Sequence, residues 1–288
     1  LTGISKENGT YTFGSWGVVL PVVLALFACL LFWIRKFSYD TRFMYHYSGL
    51  ILTLSNIAVL LLVFLGVISM GNNSSVLHVQ LKAERLIGEG QYDEALETIA
   101  NSGRQDSCLT MLTVYALSRS NSLGDKLFSY RLEGGTRAMT PDGRTTAFVM
   151  YPEGQFFNYL GSWVKQRMPA DRYLDYLLRH NLGKKPFADY YLSSLLLDKN
   201  LDKFVTYILK FYDVKGLLPT HYREALLLYT HLRANPRIIF SSTIMEADFQ
   251  DFQDLKRKYS NRTECMNKLR DVYGTTYWYY YFYGTSVR

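Results

Sequence analysis

The sequence is poor in the residues and motifs that mark a reaction centre or a disulfide framework. Its 288 residues include three cysteines, Cys29, Cys108 and Cys265. These are too few and too widely spaced to predict a disulfide scaffold or a metal site. No zinc-binding His-Glu helix, phosphate-binding glycine loop or Gly-x-Ser-x-Gly turn occurs. We therefore expect no catalytic residues, no metal and no cofactor.

Clustered positive charge is also missing. The net charge is +7, from 32 basic and 25 acidic residues, and no run of five or more basic residues occurs. A nucleic-acid-binding face needs basic residues gathered on one surface. We therefore expect no nucleic-acid partner.

Two long apolar runs near the start of the chain are the strongest positive signal. Gly17–Ile34 and Leu50–Ser69 are each close to the roughly 20 residues that a membrane-spanning helix needs. They predict a membrane part, residues 1–70, with two transmembrane helices and lipid as a partner. Within the second run, Ser55 and Asn56 are polar and are expected to contact a neighbouring membrane helix.

The segment between the two runs predicts their orientation. It carries Arg35, Lys36 and Arg42 against one acidic residue, Asp40. Because basic connectors stay in the cytoplasm, the rest of the chain is expected outside it.

The remaining residues repeat apolar positions at helical spacing. Pro186 and Pro219 each begin a helix and are 33 residues apart, as are Glu153 and Pro186, which is close to the tetratricopeptide (TPR) period. We predict a first TPR-like half at 71–135, a second at 153–235, and an amphipathic helix with an aromatic segment at 236–288. An irregular α-helical domain is the alternative. The predicted helices include Val76–Glu89, Tyr92–Ala100, Asp106–Arg119, Leu123–Leu132, Glu153–Arg167, Leu201–Tyr212, Pro219–Arg233 and Thr243–Tyr259.

One segment interrupts the helical rhythm. Pro141-Asp142-Gly143 is a strong turn signal, and Thr145–Tyr151 is rich in β-branched and aromatic residues. We predict a β-hairpin at 136–152. The expected fold class is thus mainly α, with two transmembrane helices followed by a TPR-like α-solenoid carrying one inserted β-hairpin.

The end of the chain is unusually aromatic. Eight of the eleven residues of Tyr273–Tyr283 are aromatic, more than one buried helix face can use. The segment could dock on the helical array, lie at a bilayer surface, or contact a protein or glycan partner. The partner-binding residues in the last case are Tyr277, Trp278, Tyr280 and Phe282.

Two strings carry a resemblance to a known group of proteins. The Gly-Gln-Tyr-Asp-Glu-Ala-Leu string at Gly90–Leu96 is similar to a tetratricopeptide turn, and the chain ends in the aromatic tail. Together with the apolar runs, they resemble a family of uncharacterised Bacteroides-type inner-membrane proteins with a C-terminal TPR-like domain. The resemblance implies a Gram-negative cell envelope and a bacterial inner-membrane, multi-pass protein whose C-terminal domain is periplasmic. It also implies further membrane helices upstream, and it brings no known activity.

These observations favour a non-catalytic role. We expect a membrane-anchored scaffold or accessory subunit whose helical-repeat domain mediates protein-protein interaction with other membrane-protein subunits. A glycan- or envelope-polymer-binding module that uses the aromatic tail is one alternative. A subunit of a transporter or membrane enzyme, with its active part elsewhere, is the other.

Overall fold

The chain is mainly helical, and it divides into two units, Leu1–Ser74 and Ser75–Arg288. The computed structural model describes residues 4–7, 10–13, 22, 25–29, 32, 48–69, 75–164, 166–214 and 216–284. Each unit is described by itself below.

The described residues of the first unit include a strand pair, helical residues at 25–29 and one long helix. Strands β1 (Ile4–Glu7) and β2 (Thr10–Phe13) are antiparallel, with Ile4 opposite Phe13. Helix α1 (Ser48–Ser69) exposes large apolar side chains, among them Leu60 and Phe64, at 67% and 63%. This exposure follows from its composition, because nearly every described position on it is apolar.

The prediction of two transmembrane helices is contradicted. Within the described residues, no helix is long and apolar enough to cross a membrane. Most of Gly17–Ile34 lies outside the described residues. Leu50–Ser69 lies in α1. The multi-pass inner-membrane location with a periplasmic domain rested on these helices, and it is contradicted with them.

The second unit is a bundle of helices of uneven length. They begin and end as follows: α2 Ser75–Gly88, α3 Tyr92–Asn101, α4 Ser107–Arg119, α5 Leu123–Lys126, α6 Glu153–Leu160, α7 Ala170–Arg179, α8 Phe187–Leu197, α9 Leu201–Phe211, α10 Thr220–Leu232, α11 Thr243–Lys258, α12 Arg262–Tyr273 and α13 Tyr277–Tyr283. Two short 3-10 helices, Leu127–Ser129 and Gly135–Met139, lie between α5 and α6.

Three of these helices form the centre of the bundle. In α4 every residue from Cys108 to Ser118 is buried, and α8 and α10 are buried over most of their length. A helix that is apolar on all sides belongs inside a domain, whereas an amphipathic helix lies at its surface. The amphipathic helices α2, α3, α7 and α9 accordingly cover the central ones.

Three helix pairs share one kind of tight turn. Two residues after the end of each of the helices α2, α4 and α8 lies a residue with positive φ, namely Gly90 (80°), Asn121 (54°) and Lys199 (57°). In each case the following backbone N–H donates to a carbonyl five residues back, such as Gln91 N to Leu86 O at 2.9 Å. This is the Schellman ending. The next helix begins one or two residues later, so α2–α3, α4–α5 and α8–α9 are sharply folded pairs.

The predicted β-hairpin at 136–152 is not formed. The turn is present, because the Asp142 carboxylate accepts hydrogen bonds from the backbone N–H groups of residues 144–146 at 2.8–3.0 Å. The arms are not strands, since Gly135–Met139 is a 3-10 helix and residues 147–151 have no regular structure. The N–H groups of Val149, Met150 and Tyr151, which a hairpin ladder would use, instead donate to the buried Glu84 carboxylate.

The predicted helix Glu153–Arg167 is shorter in the structure and ends at Leu160. A Cβ at Gly161 would lie 2.5 Å from the Leu182 carbonyl oxygen, so only glycine allows this close approach. Trp163 therefore lies beyond the helix and is 48% exposed, where helical continuation would have placed it on the inward stripe.

Candidate functional site

The aromatic tail is part of the interior of the second unit. Thr276 caps α13, its hydroxyl accepting from Tyr279 N at 3.2 Å. Tyr277 and Trp278 are then buried against α10, and the Trp278 indole N–H donates to the Glu224 carbonyl oxygen at 2.9 Å. Burial raises the pKa of the Tyr277 hydroxyl well above its ordinary value. These two side chains are therefore packed inside the second unit.

The other two tail residues keep some exposed surface. The Tyr280 hydroxyl donates to the Leu197 carbonyl oxygen at 3.0 Å, and the Lys199 ammonium lies 5.4 Å from the Tyr280 ring centroid. The Lys256 ammonium lies 3.7 Å from the Phe282 ring centroid, a cation–π contact. A role for the four tail residues in partner binding stays a prediction.

The predicted membrane contact residues lie on α1. The Asn56 side chain is exposed, and the Ser55 side chain lies outside the described residues. Their contact with a neighbouring helix stays a prediction.

A buried histidine–glutamate pair lies beneath the tail. His221 Nδ1 is 2.9 Å from Glu224 Oε2, and the Phe128 backbone N–H donates to His221 Nε2 at 3.3 Å. The second contact makes Nε2 an acceptor, so Nδ1 carries the proton and donates it to Glu224. Glu224 Oε2 also accepts from Tyr277 N at 2.7 Å. The pair resembles an acid–base couple, but both side chains are about 95% buried, so its role is to hold the start of α13 on α10.

A second buried network surrounds Arg119. Its Nη1 donates to the Tyr115 hydroxyl at 3.1 Å, and its guanidinium lies 5.1 Å and 4.9 Å from the ring centroids of Tyr92 and Tyr159. The Tyr115 hydroxyl is also 2.8 Å from the Tyr151 hydroxyl. Burial raises the pKa of Tyr115, so its hydroxyl stays protonated. This network joins α3, α4 and α6.

Metal binding finds no support in the described part of the chain. No three His, Cys, Asp or Glu side chains there converge as metal ligands would. Cys108 and Cys265 are not joined in a disulfide, and the Cys265 thiol lies 3.4 Å from the Tyr283 hydroxyl.

An open groove between α2 and α3 is the candidate functional site. Its cavity volume is about 650 Å³. Its apolar strip lies at the base of the groove and consists of Val79, which is half-buried, and Leu86, which is only 4% exposed, while charged side chains line the rim. An apolar centre with a polar rim is the usual anatomy of a protein interface.

The two walls of this groove carry opposite charges. His78 and Lys82 project from α2, while Glu94 and Glu97 project from α3, and all four are exposed. Lys82 forms no ion pair with any carboxylate in the part of the chain that the structure describes. Lys82 on one wall is therefore not neutralised by a carboxylate on the other, and the charged side chains of both walls can contact a bound molecule.

Sequence reasoning misses this groove although its signal is present. The Gly90–Leu96 string predicts that α2 and α3 pack closely at the small Ala95, which is fully buried. The opposite charges of α2 and α3 are visible in the sequence. Without the geometry of the turn between the helices, however, such charges indicate only an ordinary solvent-exposed surface. The buried glutamates Glu84 and Glu224 are likewise missed, because each lies on a helix with no local sign of burial.

Comparison with known proteins assigns one part of the chain. A model described as "Family of unknown function (DUF6057)" matches residues 162–284, less than half of the chain. An uncharacterised domain is therefore supported over α7 to α13. No curated protein and no solved structure matches the chain. The groove between α2 and α3 lies outside the matched residues.

Proposed function

We propose that this chain is a non-catalytic interaction module that holds an amphipathic helix of a partner protein in the α2–α3 groove. The single observation that carries the proposal is the groove itself, with an apolar strip between two oppositely charged walls. The tetratricopeptide-like organisation belongs to the same proposal, and the three sharply folded helix pairs support it.

The spacing of the apolar strip favours a helical ligand. Val79 and Leu86 are seven residues apart, which is two helical turns and about 10.5 Å along α2. A partner helix with apolar residues at positions i and i+7 repeats this distance, so that one residue would contact Val79 and the other the small exposed part of Leu86. Because positions i and i+7 span two turns, a partner helix of about three turns is long enough to make this contact.

The wall charges then select the orientation of the partner. Basic residues on one flank of the partner helix would face Glu94 and Glu97, and acidic residues on the other flank would face Lys82. Rim charges of this kind change association rate and specificity more than they change affinity. The reverse orientation places like charges together and is disfavoured.

A site-specific photo-crosslink tests the location. A photoreactive amino acid at Thr98, which lines the groove and is half-buried, is expected to join one defined partner segment when the full chain is expressed in its own host cells. The same residue at Arg172, an exposed position on α7, is the matched control. Identical adducts from both positions, or none from position 98, would overturn the proposal.

Charge reversal tests the mechanism. With the crosslinked segment as a synthetic peptide, Glu97→Lys is expected to weaken binding about 3- to 10-fold, since a rim ion pair is worth about 1 kcal/mol and a reversal also adds repulsion. A peptide whose facing basic residue is changed to glutamate is expected to recover affinity for this variant. Equal affinity of both peptides for both proteins would contradict the assigned orientation.

A further inference from the structure

A second cavity lies on the opposite side of α3 from the groove. Its volume is about 310 Å³, and it is formed by the end of α3, the loop before α4 and residues 129–131. Ile99 supplies an apolar wall, while Arg104, Gln105, Tyr130 and Arg131 supply polar groups. Cavities of this size are at the lower end of the range for small-molecule sites.

The charge of this cavity is one-sided. Two arginines line it, and none of the described residues around it is acidic. Neither Arg104 nor Arg131 forms an ion pair or a side-chain hydrogen bond with another described residue. Arg233 shows the contrast, because its guanidinium lies 2.6 Å from Asp202. Two guanidinium groups thus keep donors that can bind an oxyanion in bidentate fashion.

The backbone around Arg104 is held in place by local hydrogen bonds. Gly103 has a φ of 60°, which turns the chain after α3. The Ser102 hydroxyl donates to the Ile99 carbonyl oxygen at 2.7 Å and accepts from Arg104 N at 3.1 Å. Arg104 is therefore presented by a fixed turn and not by a free loop.

The Arg131 side of the cavity is held by Gln105. Its amide nitrogen donates to the Thr110 hydroxyl at 3.0 Å and to the Arg131 carbonyl oxygen. The Thr110 hydroxyl also accepts from Glu133 N at 2.9 Å. One glutamine and one threonine thus fix both chain segments at the start of α4, so the site needs little ordering when a ligand binds.

Tyr130 adds a neutral donor. Burial first, and the Asp93 carboxylate second, raise the pKa of its hydroxyl above the ordinary value. The phenol is therefore protonated at neutral pH and can donate to an anion. Asp93 does not line the cavity, so its carboxylate offsets only part of the charge of the two arginines that do.

We propose that this cavity binds the carboxylate or phosphate group of a small ligand between Arg104 and Arg131. The ring of Tyr130 and the side chain of Ile99 cover the non-ionic part of the ligand. This site is separate from the groove, and its occupation does not depend on a partner helix.

Calorimetric titration of the full chain at low salt tests the proposal. Inorganic phosphate is the probe for a phosphate ligand, and citrate is the probe for a carboxylate ligand. We expect saturable binding of at least one of them. The anion that binds more tightly shows which of the two groups the cavity prefers. Arg104→Gln and Arg131→Gln are each expected to weaken binding about 10-fold or more, since a charge-assisted hydrogen bond is lost. The second change keeps the Arg131 carbonyl acceptor that Gln105 uses, so the fold should be retained.

Two further variants separate site binding from general attraction. Arg172→Gln removes an exposed arginine of α7 that has no ion pair with a described residue, and it is expected to leave binding unchanged. Ser129→Asp adds a carboxylate to the cavity at an exposed position and is expected to abolish binding without unfolding the protein. The proposal is overturned if neither anion binds saturably, or if Arg172→Gln weakens binding as much as Arg104→Gln does.

Discussion

The Glu84 carboxylate is predicted to hold residues 149–151 on the bundle. Its two oxygens accept from the backbone N–H groups of Val149 (3.0 Å), Met150 (2.6 Å) and Tyr151 (2.9 Å), and from the Gln80 amide at 2.8 Å. The side chain is 1% exposed, so water does not replace these contacts. Removing the acceptor leaves three backbone donors without a partner.

The magnitude follows from the number of donors. Each buried donor left without an acceptor costs about 1–3 kcal/mol, and the gain from no longer burying a charge offsets part of the sum. We expect Glu84→Leu to lower the free energy of unfolding by about 3 kcal/mol. In a unit of this size this corresponds to a melting temperature lower by about 6–12 °C. Glu84→Gln keeps one acceptor oxygen and should cost about 1 kcal/mol.

Urea unfolding and amide hydrogen exchange measure this prediction. In Glu84→Leu, the amides of residues 149–151 should exchange faster while those of α8 stay protected. Glu89→Leu is the control, because Glu89 is 50% exposed and its oxygen is 3.9 Å from Arg85 Nε, so the change should stay within about 0.5 kcal/mol. If Glu84→Leu unfolds at the same urea concentration as the control and leaves exchange at 149–151 unchanged, the carboxylate does not anchor this segment.

Three further predictions concern other parts of the second unit. Trp278→Ala should cost about 3–5 kcal/mol in urea unfolding, because the indole is 2% exposed, and an unchanged midpoint would contradict its burial. Gly161→Ala should cost about 1–3 kcal/mol by thermal unfolding, since the new Cβ meets the Leu182 carbonyl, whereas Gly88→Ala, whose nearest atom would lie 4.0 Å away, should stay within about 1 kcal/mol. Burial would raise the pKa of Asp142, but hydrogen bonds from residues 144–146 outweigh it and hold the pKa below 3.8. The stability that this carboxylate contributes is therefore fully present above the unfolded pKa of about 4, and it is lost as the pH falls through the lower folded pKa. Urea midpoints measured from about pH 6 to pH 2 should therefore fall less steeply with pH in Asp142→Asn than in the unchanged protein.

The helices of the second unit are largely predictable from the sequence, because apolar spacing and terminal residues act locally. Val76–Glu89 agrees with α2 to within one residue, and Leu201–Tyr212 agrees with α9 equally well. Proline at 219 correctly marks the start of α10. The helix α12 (Arg262–Tyr273) is missed, since its buried residues are few and do not form a clear stripe.

The wrong predictions concern segments whose structure depends on contacts with residues far away in the sequence. Propensity favours strands at Thr145–Tyr151, but the N–H groups of this segment are bound by Glu84, more than sixty residues away. The helix from Glu153 ends early because Gly161 meets the backbone at Leu182. For the aromatic tail, the large number of aromatic residues is equally consistent with docking on the helices and with exposure at the surface. The hydrogen bond from the Trp278 indole to α10 shows that this part of the tail is docked.

Glu84 and Glu224 use the same physical device in two places. Each carboxylate is buried on a helix and accepts backbone N–H groups from a segment that cannot complete its own hydrogen bonding: an irregular loop for Glu84, and the first turn of α13 for Glu224. Helix starts and irregular loops leave donors unpaired, and a carboxylate offers more acceptor positions than any neutral side chain. From the sequence, a glutamate on a helix is expected to be exposed, because the backbone N–H groups that donate to these two glutamates lie far away in the sequence. The bundle is therefore completed by two buried glutamate side chains, and exchanging both for leucine should loosen the loop and the tail independently, since the two sites share no partner.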